Sequence, residues 1–376
     1  MREQCHFLTP PAPGTTRELL SLHFGPAASG RKAYLQAALH ADEPPGLLVA
    51  WHLRQMLAEA EAAGRLTGEI VLVPMANPIG HAQRLLGRGI GRFELPSGEN
   101  FNRQYANLAA AAYARLRPAL DRGEMPDVAA VRAALRAACE DLPAPSELES
   151  LRRTLLMLAI DADLVLDLHC DNEAVMHLYT TPTLWPALAP LAQLLGAEAC
   201  LLAGDSGGDP FDESCSLTFA RLNALHAQAG GVTSAWPEAC VAATIELRGE
   251  TDVNHAHAQA DAQALFGYLQ LQGYITGATP TLPPLRRAPR PLAGSMPLYA
   301  PHGGVLVHRA ALGAELRRGD PVADIIDPLS GVCATLASPV DGVLYARESG
   351  RVVHSGTRVA KVSGTEELRS GPLLSA

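Results

Sequence analysis

The chain has 376 residues, 48% of them apolar and 18% charged, which is enough for two domains or for one large domain with an appendage. A formal charge of −9 with no basic stripe argues against a phosphate-backbone binder, although a local arginine can still hold a small anion. No run reaches the ~18 apolar residues of a membrane span, residues 1–13 lack a signal-peptide pattern, and the seven scattered cysteines form no Cys-x-x-Cys pair. Reduced thiols in a cytoplasmic setting are expected, with no membrane or nucleic-acid partner.

After a Pro-rich opening, residues 19–24 and 33–39 read as strands and 47–63 as a helix ending near Gly64. Residues 69–75 form a continuously apolar strand, the pattern of a parallel sheet covered on both faces. Residues 80–100 lack a period and read as a long loop, with Arg84, Arg88 and Arg92 among its glycines. Helices are expected across 106–158, then strands at 163–169 and 173–180, a helix at 184–195 and a strand at 198–203. A polar Gly/Asp loop at 204–215 precedes a helix at 216–229, a strand at 241–248 and a helix at 254–272. The stretch 279–297, with six prolines and Arg286, Arg287 and Arg290, suits an extended linker between a domain at 1–278 and one at 298–376. In the second, short runs at 303–308, 321–326, 334–337, 342–346 and 351–353 alternate with turn signals, as in a small all-β unit.

The chemistry gathers at strand ends. His40 and Glu43 fall on the turn between the strand at 33–39 and the following helix, where an imidazole and a carboxylate three residues apart can face one point. His169 ends a second buried strand, and Glu246 lies inside a third that is otherwise uncharged up to Arg248. Ligand sites of open α/β sheets lie outside the carboxyl ends of strands, which suits His40, Glu43 and His169. Two histidines and a carboxylate leave a fourth position on Zn²⁺ for water, and a nearby carboxylate such as Glu246 can take its proton. A structural alternative pairs Glu246 with Arg248, since strand alternation sends both to one face. Asn102 and Arg103 offer an amide beside a guanidinium fork suited to a carboxylate. Arg84, Arg88 and Arg92 are candidates for polarising a scissile carbonyl, with Arg92 favoured as the nearest to Asn102. Alternation turns Cys170 away from His169, and no nucleophile elbow, phosphate loop or dinucleotide fingerprint is present.

In order, His40-Ala41-Asp42-Glu43, Asn102-Arg103, Asp167-Leu168-His169 and Thr244-Ile245-Glu246-Leu247-Arg248 resemble the signature stretches of zinc carboxypeptidases. Within that group the chain looks most like the succinylglutamate desuccinylase/aspartoacylase family, over residues 33–272. The resemblance implies an α/β fold with a mixed central sheet flanked by helices, and a C-terminal β-domain like a biotinyl/lipoyl unit. It implies one Zn²⁺ held by His40, Glu43 and His169, with Glu246 as general base and acid. Asn102 and Arg103 would grip the carboxylate of an N-acyl amino acid, and Arg92 would assist. The hairpin at 338–342 has no lysine at its tip, against swinging-arm chemistry, and no tyrosine lies between Tyr179 and Tyr268 where a substrate-clamping one would be expected. The expected activity is cleavage of a small linear amide, possession of a homo-oligomeric state being compatible with it. A carboxypeptidase acting on short peptides and a non-catalytic metal-binding protein of the same fold are the rival readings.

Overall fold

The computed structural model describes residues 1–374; the last two positions of the expected β-domain, 375 and 376, lie outside the described residues. The chain opens with β1 (Arg2–Phe7), β2 (Glu18–Phe24), β3 (Lys32–Ala37), α1 (Pro45–Ala62) and β4 (Glu69–Val73). The short α2 (Pro78–Ala82) and a small hairpin of β5 (Arg84–Leu85) and β6 (Arg88–Gly89) follow, then α3 (Ala109–Leu120), α4 (Val128–Glu140) and α5 (Glu147–Ala159). Next come β7 (Leu164–Asp171), β8 (Glu173–Ala174), β9 (His177–Thr180), α6 (Trp185–Leu195) and β10 (Ala199–Leu202). α7 (Phe211–Gln228), β11 (Val241–Gly249), α8 (His255–Leu271) and β12 (Arg290–Pro291) complete this part.

Nine strands form one mixed sheet in the order β1-β2-β4-β3-β7-β11-β9-β10-β12. Its centre, β4-β3-β7-β11, is parallel, and β2 and β9 run antiparallel to their inner neighbours. Alternation divides the apolar side chains between the faces. Leu35, Leu72, Leu166, Leu168, Ile245 and Leu247 pack against α1, α6 and α8. Tyr34, Val71, Val73, Val165 and Ala242 pack under α3, α4, α5 and α7. Gly46 lets α1 sit close on the sheet, because a Cβ there would lie 3.1 Å from the Ala37 Cβ and 3.3 Å from Leu168 O. Further along β7 and β11, Asp167, His169, Thr244 and Glu246 continue the second face and line a cavity or back its wall.

The structure departs from the sequence expectations at several places. The expected strand at 173–180 is two strands, because β8 leaves the main sheet to pair with β18 (Gly342–Arg347) of the C-terminal part. The expected loop at 204–215 ends early. α7 already begins at Phe211, where Pro210 precedes the first turn and Asp212 and Glu213 complement the helix dipole. The opening segment contains β1, which pairs with β2 and takes its period from a partner rather than from its own composition.

Within 279–297 the chain forms β12, the ninth strand, and starts β13 (Ser295–Tyr299). β14 (Gly304–His308), β15 (Glu315–Leu316), β16 (Pro321–Ile326), β17 (Cys333–Ala337), β18, β19 (Val352–Val353) and β20 (Arg358–Ser363) follow. They make two antiparallel sheets, β13-β20-β18-β15 and β17-β16-β14-β19, around a core that includes Leu306, Val322, Ile325, Leu344, Val359 and Val362.

Polar groups tie this β unit to the larger sheet. Lys361 on β20 pairs with Asp171 at the end of β7, Arg347 Nε donates to Glu173 Oε2 at 2.7 Å, and Ser349 Oγ donates to Glu250 Oε1 at 2.7 Å. Burial raises the Asp171 carboxyl, but the Lys361 charge outweighs it and draws the group down to about 2. A depressed carboxylate adds stability that is present above its unfolded value, near 3.9, and is lost as pH falls toward the folded value. Asp171→Asn should therefore cost about 3 kcal/mol at neutral pH, since it strands a buried ammonium. Denaturant titrations of both proteins should show that gap closing between pH 4 and 2.

Candidate active site

The turn after β3 supplies the first donors. Ala38 adopts a left-handed φ of 57°, and Glu43 N donates to His40 O at 3.1 Å just before α1 begins. The loop beyond β6 then docks on this turn, with Ala41 N donating to Gly91 O at 3.0 Å. Only glycine serves at 91, because a Cβ there would stand 2.1 Å from Asp42 N. This docking delivers Arg92, whose Nη1 donates to Glu43 Oε1 at 3.1 Å. Arg84 and Arg88 lie on the exposed hairpin instead.

β7 and β11 supply the other groups in register: Thr244 stands opposite Asp167, and Glu246 opposite His169. The pairing slips between Glu246 and Gly249, and Arg248 takes a left-handed φ of 67°. Its guanidinium pairs with Asp261 on α8, across the sheet from Glu246. The Glu246–Arg248 ion pair is thus replaced by a bulge that separates the two residues, and Glu246 Oε2 is buried without a hydrogen-bond partner.

His40, Glu43 and His169 are all buried, and their donor atoms lie within 4.8 Å of one another. Each imidazole turns Nδ1 toward Glu43, at 2.8 Å from Oε1 for His40 and 2.8 Å from Oε2 for His169. Behind them, His40 Nε2 is 2.8 Å from Asn100 Oδ1 and His169 Nε2 is 2.9 Å from Asp167 Oδ2. For His40, the Asn100 acceptor at Nε2 favours the proton there and leaves the Nδ1 lone pair facing Glu43, while the Asp167 carboxylate lies beside the His169 ring. Asp167 is held in turn by Gln36 Nε2 at 2.9 Å, and Gln36 Oε1 accepts from Tyr34 OH at 2.7 Å. Two nitrogens and one carboxylate form a donor set that fits Zn²⁺ with one position open. Burial opposes ionisation of Glu43, but the neighbouring His40 and His169 outweigh it and hold the carboxyl well below its usual range. Burial and the Glu43 charge push Glu246 up to about 8.

These groups line a cavity of about 440 Å³ together with Arg92, Asn102 and Arg103. Asn102 Oδ1 accepts from Phe211 N at 2.9 Å, and its Nδ2 is 3.4 Å from His169 Nε2. Arg103 is buried, with Nη1 donating to Asn102 O at 2.6 Å. Cys170 joins the site through its backbone, N donating to Glu43 Oε2 at 3.1 Å, while burial pushes its thiol up. The sequence reading missed Asn100, Gln36 and Asp167 as supports. Alternation alone could have placed Asp167 with His169, but Gln36 needed the β3–β7 pairing. It also missed the groups that the β unit contributes, Tyr299, Tyr345, Arg358 and Lys361. The aromatic hydroxyls absent from 180–267 therefore reach the cavity from Tyr179 and from this later part of the chain.

Residues 29–119 match the profile of the succinylglutamate desuccinylase/aspartoacylase catalytic domain. A family protein of that description from Shewanella amazonensis is 26% identical, with 96% of this chain and 98% of that one covered and a TM-score of 0.83. Another, from Shewanella frigidimarina, is 24% identical over 96% and 97% of the two chains, with a TM-score of 0.82. The product-bound ectoine utilization protein EutE from Ruegeria pomeroyi shares the fold at 17% identity, 96% and 95% coverage and a TM-score of 0.64. No curated protein matches the chain. Among the described residues, no helix is long and apolar enough to cross a membrane.

Removal of the hydrogen-bond acceptor behind His40 should weaken metal binding without abolishing it. Asn100→Ala is expected to lower zinc affinity about 10–100-fold, whereas His40→Ala or His169→Ala should lose the ion. Competition with a chromophoric chelator measures both, and equal affinity in wild type and Asn100→Ala would remove the supporting role.

Proposed function

We propose that this chain, which belongs to the succinylglutamate desuccinylase/aspartoacylase family, is a zinc-dependent deacylase that hydrolyses the amide of an N-acyl amino acid. The observation that carries the reading is Glu246, a partly buried carboxylate whose Oε2 is buried without a partner, in register with His169 beside the His40–Glu43–His169 cluster. Binding alone gives no reason to bury such a carboxylate, which is costly without a partner. That favours a hydrolase over a non-catalytic metal binder.

His40 Nδ1, a Glu43 oxygen and His169 Nδ1 would hold one Zn²⁺, which when bound supplies Lewis acidity and a water acidic enough to ionise near neutral pH. Arg103, supported through Asn102, would take the substrate carboxylate in its guanidinium fork and set the amide over the ligands. Arg92, beside Glu43, would stabilise negative charge as it develops on the carbonyl oxygen. Glu246 would accept the proton of the attacking water and return it to the departing nitrogen. The amide is thereby split into a carboxylate and a free amino acid. The same-site proximity of Arg103 and Glu246 supports these assignments.

Glu246→Gln should retain fold and metal but lose about 10²–10⁴-fold in kcat. An undiminished kcat in a metal-loaded variant would place the base elsewhere. For Arg103, the comparison is between an N-acyl amino acid and its C-terminal amide. Arg103→Ala should cost the acid about 2–5 kcal/mol in kcat/KM and the amide little, because the amide never offered the carboxylate. Equal losses on both would make Arg103 structural.

A further inference from the structure

The cavity extends well beyond the metal cluster. Across one face of the sheet, Thr244 on β11 stands opposite Asp167 on β7, Tyr179 on β9 opposite Thr244, and Leu201 on β10 opposite Tyr179. Directly paired residues share a face, and strands lie ~4.8 Å apart, so Leu201 is about 14 Å from the strand that carries His169. An acetyl amide of a small amino acid does not fill that length.

The far end is apolar and is closed by the chain's own C-terminal segment. Tyr179, Leu201, Leu292 and Tyr345 form one cluster, with Leu373 and Leu374 packed against it, and all six line the cavity. Several polar groups here are paired within the protein, although Ser206 Oγ is buried without a partner. Tyr345 OH is 2.7 Å from Ser295 Oγ, Tyr179 OH is 3.3 Å from His177 Nε2, and Lys361 is paired with Asp171. The segment itself is held by Leu368 N and Arg369 N, which donate to Ala293 O at 3.1 and 3.0 Å, and by Leu373 N, which donates to Ser206 O at 2.9 Å. Arg369 braces it, donating to Ser295 O at 3.1 Å and to Leu373 O at 2.8 Å. Pro372 rests on Gly207, where a φ of 84° and a Cβ only 3.1 Å from Pro372 Cα both call for glycine.

The loop that anchors this segment also shapes the surroundings of Arg103. Gln104 N donates to Gly208 O at 2.9 Å, and a Cβ at Gly208 would lie 2.9 Å from Arg103 Cδ. The apolar wall therefore adjoins the end of the cavity assigned to the substrate carboxylate. We propose that Leu373 and Leu374 close an apolar subsite for the side chain of the substrate's amino acid, which makes the C-terminal segment a specificity element. The proposal rests on the deacylase reading and narrows it to N-acyl derivatives of large apolar amino acids. The carboxylates of Asp212 and Glu213 and the guanidinium of Arg358 also line the cavity, so basic and acidic side chains are the competing outcomes.

The test uses the full-length, zinc-loaded protein and its Leu373→Ala/Leu374→Ala variant, with Leu374→Ala alone as a milder change if the double variant is unstable. N-acetyl-leucine and N-acetyl-phenylalanine should exceed N-acetylglycine at least 10-fold in kcat/KM in wild type, with the ratio falling to within 3-fold in the double variant. Preference for N-acetyl-ornithine or N-acetyl-aspartate, or an apolar advantage that survives the substitutions, would overturn the proposal. Calorimetry with 3-phenylpropionate and propionate provides an arm independent of turnover. Wild type should bind the phenyl compound at least 10-fold more tightly, and the variant should lose that margin. No turnover of any substrate with the margin intact would overturn the deacylase reading and leave the subsite standing; no margin in wild type would overturn the subsite.

Discussion

The site closes around one buried carboxylate. Glu43 sits between two imidazoles and also meets Arg92 and the Cys170 amide, so its cost of burial is offset by groups from three separate parts of the chain. His40 comes from the same turn, His169 and Cys170 from β7, and Arg92 from the loop docked through Gly91. Each arrival depends on backbone geometry: the parallel register of β3 with β7, the left-handed Ala38, and the absence of a side chain at 91. A one-residue slip of β7 would turn His169 toward α1 and bring Leu168 into the cavity.

Much of this was legible because it is local. A His and a Glu three residues apart on a strand-to-helix turn announce themselves in sequence, as does a His at the end of a buried apolar strand. What failed was whatever depends on pairing between distant segments. Glu246 and Arg248 satisfy the rule for sharing a face, yet the bulge after Glu246 breaks that rule and gives Arg248 to Asp261. β8 reads as the start of β9 because its departure is dictated by β18, some 170 residues later. The early start of α7 was readable in principle, since two acidic residues after a proline are a helix-opening signal. The cavity role of 369–374 had no sequence signal, because a short Gly/Pro/Leu segment acquires meaning only from the loop it lies against.

The β unit has a comparable lesson. Its sandwich core is independent of the main sheet, yet Tyr345, Arg358 and Lys361 face the cavity and β18 extends across to β8. Lys361, one of only two lysines in the chain, is committed to Asp171 immediately beyond the metal-binding end of β7. The small unit thus forms part of the wall of the site and is fastened where a displacement would be felt at His169.

Charge connects the proposed chemistry to this architecture. The chain is acidic as a whole, and burial raises Asp212 to about 6, Glu213 to about 7 and Glu246 to about 8, whereas Glu43 and Asp171, paired with cationic neighbours, are held low. For Glu246 the second cause, after burial, is the negative charge of Glu43. A divalent cation held by Glu43 would cancel that repulsion and add attraction of its own, which would favour the ionised form of Glu246. The base would then be ready only when the metal is present. In the proposed mechanism the same cation would offset the carboxylates around Arg103, so metal binding, proton acceptance and carboxylate recognition would be parts of a single electrostatic arrangement.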